Sequence, residues 1–292
     1  MCQSPVINYG TIRRNTKTLG GVVPYRYANY FVAAVFVVIV AGFWGSYFVP
    51  IAEVPTAFHV HAFTATSWVL LLLFQNWSIR ARRRDLHKIG GILSLVLFPF
   101  LIVGFVMIIN VSAASYAADE HPVDRFLTPS FALSMLFAIV AYLVLYYLAL
   151  KNRNNVKLHA GYMLTTPLVL FESPFSRIML DHFPFLIFTN SDYPQIILDS
   201  IVISMAMAIA FALIMYLRDR RWGVPFLVAA GLMFLQAISM YVGTSIQWVR
   251  QGFGAYAAIP DSVTIIAGFA LGAAISWLGW QSVSRVRNSA DH

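Results

Sequence analysis

Ionisable and hydrogen-bonding side chains set inside apolar stretches are the residues of this chain that could do chemistry. His59 and His61 stand just before Leu70–Leu73, at the head of a long apolar run. At about 100° per residue the two histidines project about 160° apart on a helix, so they cannot serve one site. Below His61, the residues near its direction include Thr64, Trp68 and Gln75, a polar or amphipathic stripe. His59 aligns with Phe63 and Thr66, which makes it the interface residue and His61 the interior one.

A second stripe runs through His159, Met163, Thr166, Ser173 and Arg177, with Pro167 and Pro174 expected to bend its helix. Glu172, on a different face of the same helix, and Asp199, near the outer end of the sixth span, are the candidate partners of Arg177. Buried ionisable groups in lipid cost roughly 2.5–3.5 kcal/mol each on insertion scales and usually face the bundle interior in pairs. The polar intramembrane cluster expected is therefore His61, Gln75, Glu172, Arg177 and Asp199. It could be a structural ion pair, or a path for protons or substrate.

His87 and His159 form a different pair. Each opens an apolar helix beside a lysine, Lys88 or Lys157, after a basic hairpin. At headgroup level such histidines can simply be amphipathic anchors or helix caps. Placed at one depth they could also share a metal or a haem, because neutral imidazole is a common metal ligand. His121 and His182 fall in expected outer loops, and Asp261, after Pro260, is expected to cap the last helix.

The elements that must position these residues follow from composition. Of 292 residues, 59% are hydrophobic and 11% are charged, where a soluble domain has about 25% charged. Apolar runs of about 20 residues recur, long enough to cross a hydrocarbon core of about 30 Å. They are continuous rather than alternating, which predicts helices and not barrel strands. The expected fold is all-α, a polytopic membrane helix bundle of about eight transmembrane helices at 29–50, 57–78, 89–111, 126–150, 159–180, 195–217, 224–249 and 260–281. Residues 1–28 form a basic tail, 29–281 a single transmembrane domain, and 282–292 a C-terminal tail.

The net charge of +8 is not spread evenly. All of the 20 Lys and Arg residues except Arg125, Arg177 and Arg250 lie in the two tails or in the connections after the second, fourth and sixth spans. The positive-inside rule makes that side, and both termini, cytoplasmic. The basic cluster Arg80–Lys88 then reads as a topology determinant beside anionic lipid, which argues against a nucleic-acid partner. The partner expected is the lipid bilayer, in a bacterial inner membrane. Cys2 is the single cysteine, so neither an internal disulfide nor a cysteine-based cluster can form. HExxH, glycine-rich phosphate loops and GxSxG elbows are absent.

The ordered set His61, Trp68, Gln75, then Leu86-His87-Lys88-Ile89-Gly90-Gly91, then Lys157-Leu158-His159-Ala160-Gly161-Tyr162-Met163 and Arg177 resembles a broad group of uncharacterised bacterial multi-pass membrane proteins. That group carries His…Gln, Leu-His-Arg/Lys-x-x-Gly and His-x-x-x-Met signatures, and the resemblance covers about half of the chain. A looser one is to b561-type di-haem cytochromes, which place histidines on four consecutive helices. It implies that His87 and His159 bind a haem b, although the fourth span here has no histidine. Three functions are thus expected in order: redox or electron transfer with a haem b and a quinone or other small hydrophobic ligand near His61 and Arg177; a proton-coupled transporter or sensor built on the polar cluster; and a metal-dependent membrane hydrolase.

Overall fold

The computed structural model describes residues 25–119, 122–187 and 193–290. The described residues form ten α-helices: α1 (Ala28–Gly42), α2 (Thr56–Arg80), α3 (Arg84–Ala118), α4 (Pro122–Lys151), α5 (Val156–Val169), α6 (Glu172–His182), α7 (Gln195–Arg218), α8 (Val224–Gly243), α9 (Gln247–Ala257) and α10 (Asp261–Ala290). Six helical stretches, in α2, α3, α4, α7, α8 and α10, are long and apolar enough to cross a membrane. The chain is therefore a multi-pass, helical membrane protein.

Three expected spans have a different form. The first ends as an α-helix at Gly42 and continues as a π turn over Trp44–Phe48. The fifth is broken into α5 and α6. Pro174 has no N–H, and its ring would meet the carbonyl four residues back, so the helix cannot run through Leu170 and Phe171. Those residues instead close tight turns, with their N–H groups donating to the carbonyls of Pro167 and Leu168, each at 3.2 Å. The seventh span stops at Gly243, and α9 follows as a short separate helix. The last helix runs on through the expected C-terminal tail as far as Ala290, and Asp261 lies in its first turn rather than before it. There its charge complements the helix dipole.

α4 is the hub of the bundle, packing on α3, α5, α8, α9 and α10, while α2 packs between α1 and α3 and also touches α5. The main core gathers Trp68, Phe98, Leu101, Tyr142, Leu145 and Tyr146, each fully buried. Glycines set the closest helix approaches. A Cβ on Gly42 of α1 would lie 2.1 Å from the Pro174 carbonyl oxygen of α6, and one on Gly272 of α10 would lie 2.7 Å from Pro99 Cα of α3.

Both ends of the chain's described part return to the same end of the bundle. Arg80, at the end of α2, donates to the Arg26 carbonyl ahead of α1. Arg153, after α4, donates to the Trp280 carbonyl of α10 at 2.8 Å and lies 4.3 Å over that indole ring. This end, which also carries the hairpins 81–83 and 152–155, is called the basic end below.

Candidate functional site

Two polar sites lie inside the bundle and a third lies on α6. At the basic end, His87 and His159 occupy the first turns of α3 and α5, their backbone N–H groups donating to Arg83 O at 3.1 Å and Asn155 O at 2.9 Å. Neither caps its helix. Asn155 caps α5 by accepting from Leu158 N at 3.3 Å. The two rings stand 6.5 Å apart between centroids and are nearly perpendicular, at 89°. His159 Nδ1 lies 2.9 Å from the carbonyl oxygen of Ala149 on α4. A carbonyl only accepts, so Nδ1 carries the hydrogen and Nε2 is left with the free lone pair. His87 Nδ1 is buried without a partner.

The separation of the two rings is compatible with a shared metal ion. Two imidazoles on one iron have nitrogens about 4 Å apart, since each metal–nitrogen distance is about 2 Å, which puts ring centroids about 6 Å apart. With the observed 6.5 Å, the two Cα atoms can be at most about 14 Å apart by ordinary bond lengths. The Ala149 bond also resembles the outer bond that usually orients a ligating histidine. The neighbouring lysines do other things. Lys157 Nζ sits 4.8 Å over the Trp222 ring, and Lys88 is exposed.

The second site is the seam between α2 and α3. Gly104 brings His61 against α3, because a Cβ there would lie 3.0 Å from His61 Cα and 2.8 Å from Thr64 Oγ1. The His61 ring meets Phe105 edge-on at 4.8 Å, and its Nδ1 is buried and unpartnered. Gln75 lies on Gly90 in the same way, its amide carbon 2.9 Å from where a Cβ would stand, and its Oε1 is also unpartnered. His59 points elsewhere, to the Tyr47 hydroxyl at 2.9 Å. Val69 departs from expectation. By the stripe it should be more exposed than His61 and Gln75, yet it is fully buried while they are half-buried.

The third site is Arg177. Its guanidinium donates to Ser173 O at 2.8 Å and Ser173 Oγ at 2.9 Å, and lies 4.9 Å over the Phe43 ring. Among the described residues the ion pairs are Arg83–Asp85 and Arg125–Asp119, so Arg177 reaches neither Glu172 nor Asp199 within 4.0 Å. Buried Asp199 accepts from Gln195 Nε2 at 2.9 Å. His182 is exposed at the end of α6, and His121 lies outside the described residues.

Several functional candidates went unread in the sequence. Tyr142 and Tyr146 of α4 are fully buried beside Trp68, and the Tyr142 hydroxyl has no partner. Tyr146 OH lies 3.0 Å from Ser94 Oγ, which itself donates to Gly91 O at 2.7 Å. The available signal was the i, i+4 spacing of the tyrosines, which places both on one helix face. Neither of two surface clefts, about 550 Å³ beside Tyr147 and Trp277 and about 570 Å³ beside Tyr116 and Arg250, is lined by His61, His87 or His159. No family model, curated protein or solved structure matches the chain.

Proposed function

We propose that the protein is a redox carrier of the bacterial inner membrane, with one haem b held by His87 and His159. The chain crosses eight times with both termini in the cytoplasm, α1 and the broken α5–α6 pair adding two crossings to the six long helices. The observation that carries this reading is the histidine pair itself: rings 6.5 Å apart on two different helices, one of them oriented through Nδ1 by a backbone carbonyl. When bound, the haem supplies one-electron transfer. The protein's part is to offer two neutral imidazole nitrogens at the basic end and to shield them with the α3–α4–α5 packing. Its electron partner would be a quinone or another small hydrophobic carrier near His61 and Arg177.

The test is the absorption spectrum of the purified full-length protein. A Soret band that disappears in both His87→Ala and His159→Ala, with the variants still monodisperse, is the expected result. A colourless wild-type protein from haem-sufficient cells would sink the reading.

A second reading, a small-molecule or proton-coupled transporter or sensor, draws on different residues. Non-helical backbone at membrane depth is tolerated where it is buried in protein or lines a cavity, and broken helices often mark transport sites. Here the break at Leu170–Phe171 lies beside Glu172 and six residues before Arg177, whose guanidinium has no carboxylate within ion-pair distance among the described residues. A metal-dependent hydrolase has the least support, since among the described residues no three His, Cys, Asp or Glu side chains converge.

A further inference from the structure

Where α4 and α10 meet at the basic end, part of their contact is tightly closed. Gly279 lets α10 sit directly on α4, since a Cβ there would lie 2.9 Å from Leu150 Cδ1 and 3.0 Å from Leu150 Cβ. Arg153 adds its bond to the Trp280 carbonyl and its place over that indole. Beside this contact lies a cleft of about 550 Å³, with Tyr147 and Lys151 on the α4 side and Trp277, Leu278 and Ser282 on the α10 side. Small-ligand pockets span about 300–1,000 Å³.

The lining changes character with depth. Tyr147 and Lys151 are four residues apart and share one face of α4, and Lys151 Nζ lies 5.9 Å over the Tyr147 ring. Lys151 is the last residue of α4, so its charge stands at the basic end, as does Ser282. Leu278 and Ile275, which also line the cleft, lie four and seven residues before Ser282 on the same side of α10. The helical rise from Ser282 to Ile275 is about 10 Å. The cleft is thus cationic and polar at the basic end and apolar one or two turns deeper. Trp277 is 65% and Leu278 50% exposed, within a stretch long and apolar enough to cross a membrane, so the apolar wall faces lipid rather than the protein core.

The charge of Lys151 is unmatched. Among the described residues the ion pairs are Arg83–Asp85 and Arg125–Asp119, so no carboxylate lies within 4.0 Å of its ammonium. The nearby Arg153 is engaged with Trp280. A lone cation at the head of an apolar, lipid-facing cleft complements an amphiphile with an anionic head and a hydrocarbon tail. Basic pockets between membrane-crossing helices take lipid headgroups on these grounds.

We propose that this cleft is a binding site for one anionic glycerophospholipid, with its phosphate on Lys151 and an acyl chain along Ile275, Trp277 and Leu278. The Ser282 hydroxyl already donates to Gly279 O at 2.8 Å, so toward the lipid it accepts, which suits the hydroxyls of a glycerol headgroup. An ethanolamine headgroup would bring its ammonium toward the Lys151 ammonium, and like charges repel. The bound lipid bridges α4 and α10, and it differs from the diffuse attraction of exposed Arg82, Arg83 and Arg84 in having a built seat. The proposal rests on the multi-pass fold alone and requires neither a haem nor a particular side of the membrane.

The full-length protein, stripped of lipid in detergent, is titrated with dioleoyl-phosphatidylglycerol, dioleoyl-phosphatidylethanolamine or inorganic phosphate, and the adducts are counted by native mass spectrometry. One phosphatidylglycerol should bind several-fold more tightly than any phosphatidylethanolamine. Lys151→Gln should weaken it about fivefold, the usual worth of one lysine beside anionic headgroups. Leu278→Trp, which fills the cleft, should weaken it as well, and Arg84→Gln, at the same end but outside the cleft, should leave it unchanged. Equal affinity for the two lipids, or equal weakening by Lys151→Gln and Arg84→Gln, would overturn the site. Displacement of phosphatidylglycerol by inorganic phosphate would make it a free-phosphate site and overturn the lipid assignment. Should the variants misfold, acetylation of wild-type lysines decides: phosphatidylglycerol micelles should protect Lys151 several-fold more than Lys88, and equal protection would sink the proposal.

Discussion

Trp68 of α2 donates its indole N–H to the Thr166 hydroxyl of α5 at 2.9 Å, in a fully buried setting. Thr166 passes its own hydrogen to Met163 O at 2.9 Å. This bond joins the two polar stripes, one descending from His61 and the other running from His159, at the centre of the bundle. Thr166→Val should leave the indole donor stranded and cost about 1–3 kcal/mol. The double change Trp68→Phe/Thr166→Val should cost less than the sum of the two single changes. Thermal unfolding in detergent measures this cycle, and strict additivity would show that the bond contributes nothing.

The glycine contacts give a ranked series. At Gly42 an added methyl meets the Pro174 backbone at 2.1 Å, and at Gly104 it meets His61 Cα at 3.0 Å, so α1 and α6, or α2 and α3, must move apart. At Gly90 it meets only the end of the Gln75 side chain, which can swing away. At Gly231, in α8, it meets nothing within 4 Å. Alanine should therefore be most damaging at 42, then 104, then 90. Gly231→Ala should stabilise by about 0.5–1 kcal/mol through helix propensity. Melting temperatures of the four variants check the order.

Much of this arrangement was legible in the sequence, and the failures have a physical pattern. Helices, basic hairpins and the divergence of His59 from His61 follow from hydropathy, charge and the 3.6-residue period. Which face of a helix points inward does not, because lipid tails are as apolar as the core and supply no contrast. Val69 shows this: nothing in the α2 pattern distinguishes it from a lipid-facing valine, yet its surroundings bury it completely. Tyr142 was missed for the same reason, since a tyrosine in an apolar span reads as packing until its hydroxyl is seen stranded. Pro167 and Pro174 announced a bend in the fifth span. That the helix would stop and restart at Leu170–Phe171 depended on where the freed backbone groups found partners.

Tyr25 ties three segments together at the basic end. Its hydroxyl lies 3.3 Å from the carbonyls of both Lys157 and Trp222, and its ring meets Phe226 edge-on at 5.8 Å. Burial, and then the charge of Asp219, push its hydroxyl up to about 12. The folded value lies above the unfolded one near 10, so the fold favours the protonated form. That contribution is complete below about pH 10 and fades as pH rises toward 12. Tyr25→Phe should cost about 1 kcal/mol at neutral pH, the usual worth of one hydrogen bond. The melting-temperature gap between wild type and Tyr25→Phe should hold from pH 7 to 10 and close above it. A gap that widens above pH 10 would contradict the assigned direction.

Orientation in the membrane is the last prediction, and the contacts of the basic end constrain it. Arg80 reaches the Arg26 carbonyl and Arg153 reaches Trp280, so the start of α1, the hairpins after α2 and α4, and the distal part of α10 share one end. The proposed eight crossings are consistent with that shared end. Charge then selects the side, because exposed Arg82, Arg83, Arg84 and Lys88 cluster at that end and basic connections are retained in the cytoplasm. With Cys2 replaced by serine, single cysteines at Asn154 and Ala118, both exposed and at opposite ends, report the two sides. A membrane-impermeant maleimide on intact cells should label position 118 and leave 154 protected until the membrane is permeabilised. Labelling at 154 alone would invert the orientation and place the His87–His159 pair on the outer face, against the side that the positive-inside rule selects.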